Sequence, residues 1–126
     1  MEVSIAELLA ELKERSLQVD EAIEELRIAN LDAKEKSHQY KLDHARAYLE
    51  VVADLSARGK KTTVDLIKAV VDTRVADQHF SAAIAEGLRE TALEALRSRR
   101  AQLSATQTVA NLVKEEISLS RTGGDY

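Results

Sequence analysis

Two Tyr and one His recur at four-residue spacing near the middle of the chain. Tyr40, His44 and Tyr48 would lie on one face of a helix. Rings presented in this way stack on nucleotide bases whatever the base sequence, at about 1–3 kcal/mol per base. The same amphipathic rings also line interfaces between helices, with their polar tips at the rim. Of the two interpretations, the interface between helices is favoured.

A basic turn is the second candidate site. It spans residues 58–63 and contains the first Gly of the chain, Gly59. Its cations, with one more nearby, are Arg58, Lys60, Lys61 and Lys68. A phosphate fits such cations together with the free amides of the helix that starts near Thr63. In a single molecule, these residues are equally compatible with an ordinary solvated turn. In an oligomer, several such turns would act together and raise the effective concentration of the site, which would favour phosphate binding.

The residues that usually carry catalysis or metal binding are poorly placed here. The chain has no Cys, and no two of His38, His44 and His79 are four residues apart. Asp43 adjoins His44 in sequence, but neighbouring positions on a helix point in different directions. We therefore expect no enzymatic activity, no metal and no cofactor.

The composition predicts an all-α fold that assembles as an oligomer. The 126 residues include no Pro and four Gly, and only 3% are aromatic. Long helices rich in Ala, Leu, Val and Ile can pack side by side, but such a layer exposes one face unless a second copy covers it. The length suits a single domain.

The predicted architecture is a long antiparallel helical hairpin with shorter terminal helices. Its single domain spans residues 1–121 and divides into an acidic N-terminal arm (1–35), a core hairpin (36–103) and a C-terminal helix (104–121), followed by a flexible tail (122–126). Ser4 to Glu7 matches a capping box, and residues 17–20 either break the first helix or continue it. The polar residues 104–108 are expected to cap a fresh short helix.

The core hairpin has two predicted apolar faces around the turn. Gly59 ends the first helix in the left-handed conformation, and Thr62 to Asp65 caps the second. The first face has one line of Leu42, Ala45, Leu49 and Val52, with Tyr48, Val51 and Leu55 beside it. The returning face runs through Val64, Ile67, Val71, Val75, Phe80, Ile84 and Leu88. A small residue at Gly87 would let another helix approach closely.

Charge is distributed unevenly along the chain. Residues 1–35 hold ten acids and four bases, whereas residues 36–80 hold eight bases and six acids. The acidic arm argues against nucleic-acid contact there and leaves a basic surface in the middle. With no apolar run of membrane-spanning length, a cytoplasmic location is expected, in the host cell if the chain is encoded by a phage.

The order of these segments resembles the small phage recombination mediators of the UvsY type. It comprises the helix with Ala45-Arg46-Ala47-Tyr48, the basic Gly turn, a helix beginning near Asp65, residues 71–77, and Ala92-Leu93-Glu94-Ala95-Leu96-Arg97-Ser98-Arg99. The resemblance covers roughly residues 35–110. It implies an all-helical ring that binds single-stranded DNA and helps to load a recombinase. By charge and position it implies strand contacts from Lys41, Arg46, Arg58, Lys60, Lys61 and Lys68.

Two functional hypotheses follow. In the first, the chain is a non-enzymatic, phage-like oligomer that binds single-stranded DNA and acts as a mediator of recombination or replication. Its partners would be further copies of itself, single-stranded nucleic acid, and a recombinase or another replication protein. In the alternative, a helical scaffold docks a protein partner through the acidic N-terminal arm and binds no nucleic acid.

Overall fold

The computed structural model describes residues 4–59, 61 and 63–123, without the side chains of residues 122 and 123. Three helices account for them: α1 (Ile5–Ala57), α2 (Val64–Arg74) and α3 (Ala76–Gly123). The predicted all-α class is confirmed. No helix in these residues carries an apolar stretch long enough to cross a membrane. Lys60, Thr62 and residues 124–126 of the predicted tail lie outside the described residues.

Helix α1 is continuous, so residues 17–20 continue it. The prediction of shorter terminal helices is wrong, because the N-terminal segment belongs to α1 and residues 104–121 belong to α3. The polar run near Thr106 does not interrupt α3. Thr106 Oγ1 donates to the Gln102 carbonyl at 3.1 Å, and Thr108 Oγ1 donates to the Ser104 carbonyl at 3.0 Å. Hydroxyl groups that bond one turn back are compatible with an uninterrupted helix.

The turn between α1 and α2 forms where the sequence predicts it, but the N-cap of α2 is Thr63 and not the first residue of the predicted capping box at 62–65. Gly59 has a φ of 65°, in the left-handed region, and its N–H donates to the Ser56 carbonyl at 3.2 Å. Thr63 caps α2 because its Oγ1 accepts the Leu66 N–H at 3.2 Å, and Asp65 lies in the first turn. These local signals are sufficient to end one helix and start the next.

The returning helix breaks once, at Val75, where the sequence predicts continuity. Val75 has φ −107° and ψ 16°, yet its N–H still donates to the Val71 carbonyl at 3.1 Å. Ile67, Val71 and Val75 are all buried. Residues spaced four apart move by about 40° around the helix axis at each step, so the line of Ile67, Val71 and Val75 would turn away from the core in a longer continuous helix. The break lies at Val75, the last residue of this line.

The chain forms two compact units. Unit 1 comprises Met1–Leu26 with Ala92–Tyr126, and unit 2 comprises Arg27–Thr91. In unit 1, α1 and α3 run antiparallel, since Arg15 Nη1 donates to Gln102 Oε1 at 3.0 Å while Val19 and Ala22 cluster with Leu96. In unit 2, α2 and the first part of α3 return along α1. Its core consists of Ala47, Val51, Ile67, Val71 and Val75.

The buried faces differ from the predicted ones in two places. Leu42 and Leu49, predicted as the main buried line of α1, are exposed, and the buried residues are Ala33, Ala47 and Val51. Phe80, Ile84 and Leu88 of α3 are exposed as well, while Ala85 is buried. The buried residues in this part of α1 and α3 are mostly small, namely Ala33, Ala47 and Ala85, which allows the helices to pack closely. The prediction that the largest apolar side chains of α1 are buried therefore selected the wrong line, the one with Leu42 and Leu49.

Gly87 does not mediate a close approach to another helix of this chain. A Cβ built at Gly87 meets no atom within 4 Å, and the same holds at Gly59. The two glycines differ in backbone conformation, because only Gly59 has a positive φ.

This difference predicts opposite effects of the same substitution. Gly87→Ala should raise the free energy of unfolding by about 1 kcal/mol, because Gly is the poorer residue in a helix interior. Gly59→Ala should lower it by about 1–2 kcal/mol, because a Cβ is disfavoured in the left-handed region. Urea denaturation of both variants at equal protein concentration measures the effects. A destabilising Gly87→Ala would mean that another molecule packs against that position.

Candidate functional site

A hollow in unit 2 collects aromatic, imidazole and charged side chains from all three helices. This histidine hollow has a volume of about 380 Å³. Its lining residues are Tyr40 and His44 of α1, Lys68 and Asp72 of α2, and His79 of α3. The core of unit 2 packs α2 and Val75 against α1, and α3 begins directly after Val75, so these side chains converge although they are distant in sequence.

Ring contacts organise the histidine hollow. The Tyr40 ring lies 5.1 Å from the His79 ring, tilted by 42°, and 5.9 Å from the His44 ring in an edge-on arrangement. His44 Nε2 lies 3.8 Å from Asp72 Oδ1, a contact that becomes an ion pair when the imidazole is protonated. Tyr40 also packs against the core of unit 2, which fixes its position.

A larger hollow adjoins it along α1. This basic hollow, of about 530 Å³, is lined by Asn30, Ala33, Lys34, Ser37, His38 and Lys41 of α1 with Glu86 and Arg89 of α3. Lys34 and Lys41 are seven residues apart, which places both on one side of α1. Together the two hollows hold four cations, two carboxylates and all three His of the chain.

Glu86 and Arg89 form an ion pair at the wall of the basic hollow. Arg89 Nε donates to both carboxylate oxygens of Glu86, at 3.0 and 3.1 Å. These hydrogen bonds lower the pKa of the Glu86 carboxyl, and the same contact raises the pKa of the Arg89 guanidinium. Arg89 therefore stays charged but is partly neutralised, and Lys34 and Lys41 are the exposed cations of this hollow.

The predicted strand-contact residues fall in different places. Lys41 lines the basic hollow and Lys68 the histidine hollow. Arg46 lies on the other side of the buried line of α1, in a separate hollow of about 200 Å³ with Asp43, Glu50 and Arg74. Arg58 and Lys61 are exposed in the turn, and Lys60 is outside the described residues. Among the six, the structure brings only Lys41 and Lys68 to the same pair of hollows.

The predicted ring face is only partly assembled. Tyr40 and His44 come together, but Tyr48 does not line the histidine hollow, and His79 lies against Tyr40 from α3. Sequence reasoning also missed Lys34, whose seven-residue spacing from Lys41 was visible. It could not have found His79 or Arg89, because their places depend on how α3 packs against α1.

The chemistry of the two hollows is set by their charged groups and rings. Across the described residues, no three His, Asp or Glu side chains lie close enough together to hold a metal ion. The charged groups and rings present are four cations, two carboxylates, three imidazoles and a phenol, and the chain has no Cys to serve as a nucleophile. Such a surface can attract anions and stack planar rings.

Unit 1 has an apolar groove instead of a charged hollow. The groove, of about 190 Å³, is lined by Ile5, Leu8, Leu9 and Leu12 of α1 with Ala110, Val113, Lys114 and Ile117 of α3. Leu8 is buried, whereas Ile5 and Leu9 are exposed. This chemistry fits an apolar side chain or helix and offers nothing to a phosphate.

Comparison with known proteins gave no match to a family model, a curated protein or a solved structure. The resemblance to UvsY-type mediators therefore stays a prediction. Function has to be inferred from the chemistry of the hollows, the groove and the exposed faces.

Proposed function

We propose that this protein is a non-enzymatic helical oligomer that binds single-stranded nucleic acid and supports recombination or replication. The observation that carries the proposal is the gathering of Lys34, Lys41 and Lys68 with the imidazoles on one side of unit 2. The cations would contact phosphates, and their position beside exposed rings suits the neighbouring bases.

Charge separation between the units supports this assignment. Unit 2 contains eleven bases and ten acids, whereas unit 1 contains seven bases and twelve acids. Unit 1, with seven bases and twelve acids, therefore repels a polyanion, whereas unit 2 is close to neutral and its exposed cations can act locally. The basic turn, with Arg58 and Lys61, belongs to unit 2 and would extend the contact surface.

Assembly is part of the proposed mechanism. A few exposed lysines on one copy make a low-affinity site, since exposed charges are screened by salt. Several copies on one strand convert later contacts into intramolecular ones, which raises the overall affinity without new chemistry. The unit 1 surface would stay free for a recombinase or another replication protein.

Binding to labelled single-stranded DNA tests the proposal. Fluorescence anisotropy should show binding at about 50 mM salt and much weaker binding at about 200 mM, because phosphate contacts release counterions. An oligonucleotide of mixed sequence and one of a single base should bind similarly. Absence of binding at low salt would exclude the proposed function.

The apolar groove favours a second candidate function. Glu7, Glu11 and Glu14 are exposed on the segment of α1 that forms the groove. An apolar groove with acidic surroundings suits an amphipathic helix with basic flanks from a protein partner. The chain would then be a scaffold that docks this partner through its acidic N-terminal arm, and it would bind no DNA at low salt.

A further inference from the structure

The face of α1 that points away from the core of unit 2 carries a second apolar stripe. This outer seam consists of the exposed residues Ile28, Leu31, Leu42, Ala45 and Leu49 and ends at Val52, which is partly buried against the core of unit 2, with Glu35 and His38 at the two polar positions. Its positions alternate in steps of three and four residues throughout. Ile28, Leu31 and Leu49 are 55%, 56% and 71% exposed.

Apolar residues at alternating three- and four-residue spacing form the kind of helix face that packs against a second helix. A three-and-four repeat sustained over residues 28–52 keeps the apolar side chains on one line, as in a coiled coil. The inner line of α1, with Ala33, Ala47 and Val51, is already covered by α2 and α3. Apolar side chains exposed in such a regular line indicate that a further helix covers them.

The chain as a whole exposes more surface than a compact monomer of its mass. The chain exposes 9726 Å², whereas a monomer of 13.9 kDa exposes about 6,700 Å² by the usual scaling with mass. The difference of about 3,000 Å² exceeds the roughly 800 Å² that each partner contributes to a standard interface.

The charges beside the outer seam select a second copy of the same helix in antiparallel orientation. In a register centred on residue 40, Leu31 meets Leu49 of the second copy and Ile28 meets Val52. On one edge, Asp32 then lies beside Arg46 of the second copy, and two-fold symmetry forms this pair twice. A parallel pair would form Arg27–Asp32 contacts but would bring Lys41 beside Arg46 twice, whereas the antiparallel pair has one contact of like charge, between the two copies of Lys41.

The opposite edge of this pair carries Lys34, Lys41 and Tyr48 from each copy and has no acidic residue among these positions. Lys34 and Lys41 line that edge of the outer seam and also belong to the basic hollow. The antiparallel register brings the two copies of Lys41 close together. A phosphate chain bound across the two copies would relieve their repulsion, so the polyanion would stabilise the pair.

We propose that two copies of this protein associate through their outer seams, antiparallel, with paired charges on one edge and a shared basic surface on the other. The proposal names the interface for the oligomer in the proposed function. It does not require that DNA binds, because apolar burial and the Asp32–Arg46 pairs act in the absence of a ligand.

Mass in solution, measured by light scattering on the purified chain, tests the interface. Leu42→Glu/Leu49→Glu should lower the mass by a factor of two or more, while circular dichroism shows helix retained because both side chains are already exposed. The matched control is Val64→Glu/Leu119→Glu, at positions 73% and 74% exposed outside the outer seam. An unchanged mass in the seam variant, or a wild-type monomer, would overturn the proposal.

Charge exchange tests the antiparallel register. Asp32→Arg and Arg46→Asp should each raise the dimer dissociation constant by about tenfold, because each places like charges together. The double variant should restore it, since it rebuilds both pairs with reversed polarity. No restoration would exclude this register. An oligomer that binds single-stranded DNA and keeps its mass in the seam variant would reject the seam alone, and a dimer that binds none would reject the proposed function alone.

Discussion

Replacement of Val71 by Ala should lower the free energy of unfolding by about 2–3 kcal/mol. Val71 is 0% exposed and lies in the core of unit 2 with Val51, which is 1% exposed. The change removes two buried methyl groups at about 0.8 kcal/mol each and leaves a cavity with a further cost. Urea denaturation should show a lower midpoint with an unchanged slope.

Val64→Ala is the matched control on the same helix. Val64 is 73% exposed, so the identical truncation there should alter the free energy of unfolding by less than about 0.5 kcal/mol. Both variants need the same protein concentration as the wild type, because association would shift the apparent stability. Equal effects at the two positions would contradict the packing of α2 against α1.

Reversal of Lys41 and Lys68 to Glu should reduce affinity for single-stranded DNA by about a hundredfold at low salt. Each reversal removes a phosphate contact and adds a repulsive charge in a hollow on the same side of unit 2. Loss of two contacts should also lower the slope of log affinity against log salt by about 1.4 for a single strand. Anisotropy at several salt concentrations measures both quantities.

The control for this reversal carries the same change in net charge. Lys36 and Arg100 are exposed and line neither hollow, so Lys36→Glu/Arg100→Glu should cost much less affinity. Lys60→Glu/Lys61→Glu reports on the basic turn separately, and the scaffold alternative predicts little effect there. Equal losses in the hollow variant and in the control would mean that net charge alone drives binding.

Parts of the candidate site were within reach of the sequence. Lys41 and Lys68 were selected by charge, and the contact between Tyr40 and His44 follows from their four-residue spacing. His79 and Arg89 were not selected, because no local pattern connects them to α1. Arg46 was grouped with Lys41 although the helix places it on the other side, and only the direction of the buried line reveals this.

Local chemistry in the sequence determined the helical class and the turn between α1 and α2. Gly59 and Thr63 act on their own neighbours, and the absence of Pro leaves little else to end a helix. Only the tertiary structure decided which of two apolar stripes on α1 is buried. Both stripes have the spacing of a buried helix face. The stripe with Ala47 and Val51 is the buried one, because its smaller side chains let the neighbouring helices approach α1 more closely than Leu42 and Leu49 would. The larger side chains are therefore left exposed on the face assigned here to a second copy.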